Sequence, residues 1–292
     1  MNLDGVEVAL TNLDRVMFPD SGITKREVVE YYRDVAHVML PELRGRPLSV
    51  ERYTKGVDKG GFFQKHWQKH YPSWLDHVEI HGKTDVDYPI VNTQAALVYM
   101  ANQGSIAFHV TTSRKGSLEY PDAIVFDLDP PDGRFDLARR AAHSIHAKLD
   151  AIELPSFVKT TGSKGLHVVA PIDNEGDYGL VHQLTTKIAA DLVAREPDLF
   201  TTEFYKKDRK GRLFFDVMRN GLGATFVTAY SLRGRPGAPV SAPIWWTELD
   251  DPGLTANGIK LRDLRSRLET VGDPWATFRD HVGSVERALA RC

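Results

Sequence analysis

The sequence predicts an α+β fold, because short strand-like runs and longer helix-like stretches intermix without the strict alternation of a doubly wound α/β protein. The strand-like runs alternate apolar and polar residues, and the helix-like stretches repeat apolar residues every three or four positions. The chain has 292 residues, of which 42% are hydrophobic and 26% charged, an ordinary composition for a folded domain. This length suits one large domain or two lobes that share a cleft.

The elements are predicted from local signals in chain order. Thr24 and Glu27 form a capping box, which predicts a helix that runs to about Met39 and is closed by Pro41 and Gly45. Periodicity and turn residues then predict a strand at 47–53, a Gly/Lys-rich loop at 54–61, a plain surface turn at 81–84, a strand at 123–129, a helix over 137–149, strands at 157–161 and 166–170, a helix at 178–194, an antiparallel pair of 213–218 with 225–230, an irregular segment at 231–257 and helical pieces to the end.

Composition excludes several classes of protein. The only cysteine is Cys292, which rules out a disulfide framework or a cysteine zinc site and favours a reducing, cytoplasmic setting. No apolar run approaches the roughly 18 residues of a membrane span, and the first residues lack the pattern of a secretory signal, so no membrane association is expected. The net charge of -2 argues against a nucleic-acid binder, but Lys and Arg concentrate in 52–69 and 206–212, as a local basic groove would require.

Three aspartates in apolar surroundings are the sharpest chemical signal. Asp127 and Asp129 alternate with apolar residues on one predicted strand, so their carboxylates should lie side by side on one face. Asp216 stands in a second apolar run, where an unpaired charge would be costly. Adjacent carboxylates repel unless a cation lies between them, and ligand sets made only of oxygen suit Mg²⁺ or Mn²⁺. Two aspartates in a D-x-D pattern, taken alone, could instead cap a following helix, or they could bind a sugar nucleotide through a metal ion.

Polar loops add groups that suit phosphates and bases. The segment 160–167 offers two glycines, hydroxyls and Lys164 between two strands, although a hairpin loop with a surface lysine has the same pattern. Segment 230–236 adds Arg233 and Arg235, and arginine pairs well with phosphate. The aromatic and basic residues at 60–67 could stack on bases or anchor a core. His109 has apolar neighbours, so a structural histidine is the default expectation there.

Taken in order, the motifs F-D-L-D-P, T-G-S-K-G-L-H, F-F-D-V-x-R-N and Y-S-L-R-G-R-P resemble the polymerase domain of bacterial ligase D, a member of the archaeo-eukaryotic primase superfamily. The resemblance runs from Leu10 to about Leu249. It implies a primase-type catalytic core on an RRM-like antiparallel or mixed sheet flanked by helices. The single domain 1–292 would comprise an N-terminal lobe over about 1–105, the catalytic core over 106–250 and a helical closure over 251–292.

The resemblance also implies DNA-templated addition of nucleotides, often ribonucleotides, with two Mn²⁺ or Mg²⁺ ions at gapped or broken double-stranded DNA. It implies a bacterial, nucleoid-associated protein that acts with Ku and a DNA ligase. The residues that match the family's functional positions fall into three groups, which are the metal-binding aspartates Asp127, Asp129 and Asp216, the nucleotide contacts His109, Thr161, Ser163, Lys164, His167, Arg209 and Arg233, and the DNA contacts Asn12, Arg15, Lys25, Phe62 and Phe63. Asn12, Arg15 and Lys25 correspond to a pocket for a downstream 5′-phosphate, and Phe62 and Phe63 to a pair that packs on the template. Arg52, in the basic run 52–69, is also predicted to contact DNA.

Two departures from the family pattern affect these expectations. Thr161 stands where relatives often have serine, a change that keeps the hydroxyl. Glu51 stands near a position that is basic in relatives, where an acid would repel phosphate unless Arg52 or Lys55 compensates. Nothing in the chain resembles the ligase or phosphoesterase domains that usually accompany this one, which leaves open a stand-alone relative or one part of a longer protein. Three alternatives remain, which are a primase or excision-repair polymerase independent of end joining, a non-catalytic DNA-end-binding module, and a glycosyltransferase.

Overall fold

The computed structural model describes residues 1–81 and 84–292, so Gly82 and Lys83 of the turn predicted at 81–84 lie outside the described residues. The described α-helices are α1 Lys25–Asp34, α2 Ala36–Leu43, α3 Gln94–Asn102, α4 Phe135–Ala151, α5 Tyr178–Arg195, α6 Leu264–Val271 and α7 Val285–Arg291. The strands are β1 Asn2–Leu3, β2 Val6–Glu7, β3 Val16–Phe18, β4 Ile23–Thr24, β5 Leu48–Arg52, β6 Phe62–Gln64, β7 Asp76–Ile80, β8 Val86–Ile90, β9 Ser105–Thr111, β10 Ala123–Asp129, β11 Phe157–Thr160, β12 Leu166–Pro171, β13 Phe200–Thr201, β14 Leu213–Phe215, β15 Thr225–Val227 and β16 Pro243–Ile244.

The mixture of helices and sheets confirms the predicted α+β class. The chain forms two compact units, each assembled from several segments. The first unit comprises residues 1–115, 225–242 and 259–273, and the second comprises 116–224, 243–258 and 274–292. The division into stretches bounded near 105 and 250 stays a prediction. None of the helices in the described part of the chain is both long and apolar enough to cross a membrane.

The first unit contains a four-stranded antiparallel sheet in the order β15-β9-β5-β6. Helix α3 packs on β9 and on α1, whose Tyr32 is fully buried and donates its hydroxyl to the carbonyl of Ile106 at 2.5 Å. The capping box of α1 is present, because Thr24 accepts from the backbone of Glu27 and the Glu27 carboxylate accepts from the backbone of Thr24. The small hairpin of β7 and β8 belongs to the same unit.

The second unit is built on a mixed six-stranded sheet in the order β13-β14-β10-β12-β11-β16. Only β13 and β14 run parallel, and the other pairs are antiparallel. Helix α4 packs on β10 and β12 through the apolar face that its periodicity predicts, with Leu137, Ala141, Ile145 and Leu149 all buried. The strands β14, β10 and β12 are therefore neighbours in one hydrogen-bonded sheet, which fixes the positions from which their side chains project.

Two predicted elements differ from the structure. The helix expected over 24–39 is two helices that meet at Val35, and Pro41 lies inside α2 rather than closing it. The ring nitrogen of Pro41 cannot donate to the carbonyl of His37, but His37 is exposed, so water can satisfy that carbonyl.

The predicted pairing of 213–218 with 225–230 is wrong. Strand β14 pairs with β10 and β13, whereas β15 pairs with β9 in the other unit. The chain between them turns into a 3-10 helix over Val217–Asn220, whose Asn220 side chain donates to the Val125 carbonyl at 2.9 Å and accepts from the Val125 N–H at 2.8 Å. These two bonds attach the helix to β10 and take the place of a hairpin.

Candidate active site

The two aspartates of β10 lie at its C-terminal end in different surroundings. Asp127 is opposite His167 of β12, and its side chain is only 12% exposed. Asp129 is opposite Phe214 of β14 and is exposed to solvent. Leu128, between them, is fully buried on the opposite face. The strand thus presents one protected and one accessible carboxylate on the same face, as the alternation of residues in a strand requires.

Asp127 is surrounded by groups that stabilise its negative charge. The Nε2 atom of His167 lies 3.2 Å from one carboxylate oxygen, and Nη2 of Arg219 lies 2.9 Å from the other. Burial alone would raise the pKa of the Asp127 carboxyl, but His167, Arg219 and Lys159 together hold that pKa well below its usual value. Asp127 is therefore ionised in the folded protein.

His167 remains neutral beside this carboxylate. Burial and the nearby charge of Lys159, a fully buried residue paired with His167 across β11 and β12, lower the pKa of His167 to about 4. At neutral pH the imidazole therefore keeps one proton, and with that proton on Nε2 it donates a hydrogen bond to Asp127. Such a bond fixes the direction of the carboxylate without adding a charge.

Asp216 begins the 3-10 helix over Val217–Asn220. Its carboxylate accepts a hydrogen bond from the backbone of Met218 at 3.1 Å and is 27% exposed. Nη2 of Arg219 lies 3.7 Å from Asp216 and 2.9 Å from Asp127, so one guanidinium lies between two of the three predicted metal ligands. The sequence reasoning did not assign Arg219, although its motif F-F-D-V-x-R-N places an arginine one helical turn after Asp216.

The donor set fits a divalent cation. Carboxylate oxygens are the ligands that Mg²⁺ and Mn²⁺ prefer, and the position of Arg219 marks where positive charge is stabilised between Asp127 and Asp216. Within residues 1–81 and 84–292, the only trio of potential ligands whose ligand atoms all lie within 4.8 Å of one another is an exposed one on the β7–β8 hairpin, formed by Glu79, His81 and Asp85. The three predicted aspartates do not form so tight a group.

The loop after β11 is closed by Thr161. Its hydroxyl donates to the Gly165 carbonyl at 3.1 Å and accepts from the backbone N–H groups of Ser163 and Gly165 at 3.3 and 3.2 Å. Gly165 is required by packing, because a Cβ there would lie 1.9 Å from the carbonyl oxygen of Leu128. Hydroxyl bonding within the loop explains why threonine can replace serine at position 161.

A cavity of about 330 Å³ adjoins Asp129 and brings together two of the predicted nucleotide contacts, Lys164 and Arg209. It is lined by Asp129, Pro130, Pro131, Asp132, Lys164, Lys206, Arg209, Gly211 and Arg212. Lys164 forms an ion pair with Asp132 at 2.5 Å, and the guanidinium of Arg209 lies 4.0 Å from the ring centre of Phe214. The cavity therefore combines one catalytic candidate with four cationic side chains.

The other predicted nucleotide contacts, His109 and Arg233, belong to the first unit. His109 lies on β9, is buried, and makes an edge contact with Phe63 at 5.2 Å between ring centres. Phe62 and Phe63 are 50% and 64% exposed, and the guanidinium of Arg52 lies 5.8 Å from the Phe62 ring. Two large aromatic rings thus project from the edge strand β6.

A second cavity, of about 190 Å³, lies in the first unit and gathers the predicted 5′-phosphate contacts Asn12, Arg15 and Lys25 together with Arg52. Lys25 donates to the Thr11 carbonyl at 2.6 Å, and burial together with the charge of Arg15 lowers the pKa of Lys25 to about 8. Cations held this close to one another are stabilised by an anion. Glu51 does not line this cavity, and its carboxylate accepts a hydrogen bond from the Tyr53 hydroxyl at 2.8 Å.

The sequence matches a family model described as "LigD, primase-polymerase domain" over residues 24–275. It is 36% identical over 270 residues to the multifunctional non-homologous end joining protein LigD of Mycolicibacterium smegmatis, covering 91% of this chain and 35% of that protein. It is 30% identical over 274 residues to the bifunctional non-homologous end joining protein LigD of Bacillus subtilis, covering 93% of this chain and 44% of that protein.

Among solved structures, the polymerase domain of Mycobacterium tuberculosis ligase D in complex with DNA superposes with a TM-score of 0.88 and 32% identity, covering 95% of this chain and 99% of that one. The chain spans about a third of the length of the mycobacterial relatives that it matches.

Proposed function

The chain belongs to the LigD primase-polymerase domain family, and from that premise we propose that it is a DNA-templated nucleotidyl transferase that fills gaps and extends ends during double-strand-break repair. One observation carries the proposal. An ionised, nearly buried Asp127 shares the guanidinium of Arg219 with Asp216, and Asp129 on the same strand as Asp127 borders a cavity rich in cations. A triphosphate needs both its charge neutralised and its reacting end held near carboxylates that bind metal.

Asp127, Asp129 and Asp216 would hold two Mn²⁺ or Mg²⁺ ions, which would supply positive charge to lower the pKa of an attacking hydroxyl and to stabilise a pyrophosphate leaving group. The protein's own contribution is orientation. His167 fixes the direction of the Asp127 carboxylate from one side, and the 3-10 helix that Asp216 caps is attached to β10 through Asn220. No side chain is needed as a dedicated general base.

Lys164 and Arg209 would bind the triphosphate in the cavity beside Asp129, and the hydroxyl of Ser163, in the loop that Thr161 closes, would add a further contact. Guanidinium and ammonium groups form strong charge-assisted hydrogen bonds with phosphate oxygens. Lys164 would have to leave Asp132 to do so. His109, His167 and Arg233 are the further nucleotide contacts that the likeness to the family predicts, and we expect a preference for ribonucleotides.

The first unit would bind the DNA substrate. The cavity that Asn12, Arg15 and Lys25 help to line suits the 5′-phosphate downstream of a gap, and Arg52 adds a third cationic side chain to its wall. The exposed rings of Phe62 and Phe63 suit stacking against the template at the gap. Ku and a DNA ligase are the proposed partners at a broken end, in keeping with the names of the relatives.

Primer extension on a duplex with a one-nucleotide gap tests this function. The assay compares NTPs with dNTPs, Mn²⁺ with Mg²⁺, and a downstream 5′-phosphate with a 5′-hydroxyl. We expect templated addition by the native protein and none by Asp127→Asn, whereas Asp136→Asn, which removes an exposed carboxylate paired with Arg134, should remain active. DNA binding without addition under every condition would refute the enzyme and favour an end-binding module.

A further inference from the structure

Two large aromatic side chains project from residues 202–212, the segment between β13 and β14 that is called the turn below. Phe204 and Tyr205 are 66% and 65% exposed, and their rings meet edge to face at 5.5 Å between centres. Adjacent rings that expose two thirds of their surface are costly in water, and exposed apolar clusters mark interaction sites. None of the roles assigned above uses them.

The turn holds these rings outward by its own hydrogen bonds. Arg209 donates from Nε to the Glu203 carbonyl at 3.1 Å and from Nη2 to the Phe204 carbonyl at 2.8 Å. The ring of Phe204 also contacts that of Phe214 at 6.4 Å, and Arg209 covers Phe214 at 4.0 Å. The aromatic pair is therefore presented by a supported backbone, and its supporting arginine is the one that lines the candidate nucleotide cavity.

The surroundings of the rings are cationic. Residues 203–212 contain five Lys and Arg against two Asp and Glu. Lys206, Lys207 and Lys210 are exposed, and Nζ of Lys207 lies 5.9 Å from the centre of the Tyr205 ring. Protein-protein interfaces are depleted in lysine at their centres, whereas surfaces that bind single-stranded nucleic acid combine lysine and arginine with aromatic rings.

We propose that Phe204 and Tyr205 form a stacking platform for the unpaired bases of a single-stranded nucleic-acid segment that runs past the candidate nucleotide cavity. The inference rests on the proposed function for the presence of DNA, but it assigns a contact that none of the predicted DNA-binding residues makes. The two rings present faces in different directions, which suits two bases of a strand better than the single base of a nucleotide. The exposed lysines that follow in the chain, Lys206, Lys207 and Lys210, supply positive charge for the backbone phosphates of that strand.

Binding of DNA without metal or nucleotide tests the platform separately from catalysis. Fluorescence anisotropy would compare a blunt hairpin duplex with the same hairpin carrying a short 3′ single-stranded overhang. The double variant Phe204→Ala/Tyr205→Ala should bind the overhang about five- to one-hundredfold more weakly, the effect of losing a stacked base, and bind the blunt hairpin unchanged. Tyr120→Ala removes an exposed ring in the same unit but outside the turn, and should bind both as the native protein does.

Replacement by another aromatic residue separates stacking from folding. Phe204→Trp and Tyr205→Trp should retain overhang binding, and all variants should keep the native melting temperature because the changed side chains are exposed. Equal affinity of the double variant and the native protein for the overhang, or equal weakening on the blunt hairpin, would overturn the proposal. A raised KM for the nucleotide with unchanged overhang binding would overturn it too, by assigning the rings to the incoming nucleotide. Native overhang binding without primer extension would contradict the polymerase function but leave the platform intact.

Discussion

Arg219 lies where a divalent cation would be expected to bind. We expect the Arg219 guanidinium and the metal ion to compete for the carboxylates of Asp127 and Asp216, and replacing Arg219 should reveal this competition. Its Nη2 atom is 2.9 Å from Asp127 and 3.7 Å from Asp216, and the Asp127 side chain is only 12% exposed. A hydrogen bond to a charged group contributes roughly 1.5–3 kcal/mol to stability. Because His167 still contacts Asp127 when Arg219 is lost, about 2 kcal/mol is a reasonable value for Arg219→Gln.

This value fixes two measurable quantities. In metal-free buffer, Arg219→Gln should lower the melting temperature by about 5 °C, since a protein of this size loses roughly 2–4 °C per kcal/mol. A metal ion that no longer has to displace the guanidinium should bind more tightly, by up to about thirtyfold for the same 2 kcal/mol. Titration with Mn²⁺, followed by the electron paramagnetic resonance signal of the free ion, measures the second quantity without any turnover.

The control is Arg134→Gln, which removes an exposed arginine paired with Asp136 and should change neither quantity. Added Mn²⁺ should raise the melting temperature of Arg219→Gln by more than it raises that of the native protein, because the ion stabilises the folded state to which it binds. A variant that keeps its metal-free melting temperature and binds Mn²⁺ more weakly than the native protein would refute the competition. Arg219 would then be a residue that helps the metal to bind.

Three other predictions follow from the local chemistry. Burial and Lys159 lower the pKa of His167 to about 4, so between pH 6.5 and 4 the unfolded chain binds a proton that the folded chain does not. The free energy of unfolding should therefore fall as the pH falls through this window. In a series of urea denaturations at different pH values, His167→Gln should make this part of the pH dependence flatter. Gly165→Ala should destabilise the protein by about 1–3 kcal/mol or more, measured by the same method, because its Cβ would meet the β10 backbone, whereas Gly133→Ala has open space and should cost only the strain of a positive φ. The preference for a downstream 5′-phosphate should weaken as the pH rises through about 8, where Lys25 loses its proton, and should be unchanged in Glu51→Gln; a preference independent of pH, or altered in Glu51→Gln, would contradict the assignment of the cavity.

Local patterns predicted the elements on which the candidate site is built. The strand expected at 123–129 has those bounds in the structure, because alternation of apolar residues and the following prolines are signals contained within the segment. Helices α4 and α5 were found for the same reason. The pairing of β14 and β15 was mispredicted because strand partners are set by contacts remote in sequence, here those of Asn220 with Val125 and of β15 with β9.

The sequence singled out the three aspartates as chemically unusual, but it did not show that Arg219 and Lys159 would lie near them. A carboxylate in an apolar run is conspicuous in a sequence because burial of its charge is costly. Arg219 and Lys159 resolve that cost in the structure, but an arginine in a turn and a lysine in a strand are each compatible with the surface. The sequence also suggested that Glu51 would oppose phosphate binding, whereas its hydrogen bond to Tyr53 could only be seen in three dimensions.

Three cationic groups of the second unit that lie near the predicted aspartates and the cavity share one physical property that bears on how the site would work. Arg219 contacts Asp127, Lys164 contacts Asp132, and Arg209 donates to backbone carbonyls while covering Phe214. Each cation is therefore satisfied within the protein before any ligand binds. Binding of a metal or a phosphate then exchanges one set of contacts for another, so the net affinity is the difference between two favourable terms. Because such a site is held in position by its internal partners, its affinity and its stability should change in opposite directions when one of those partners is removed, as the Arg219→Gln measurements would show.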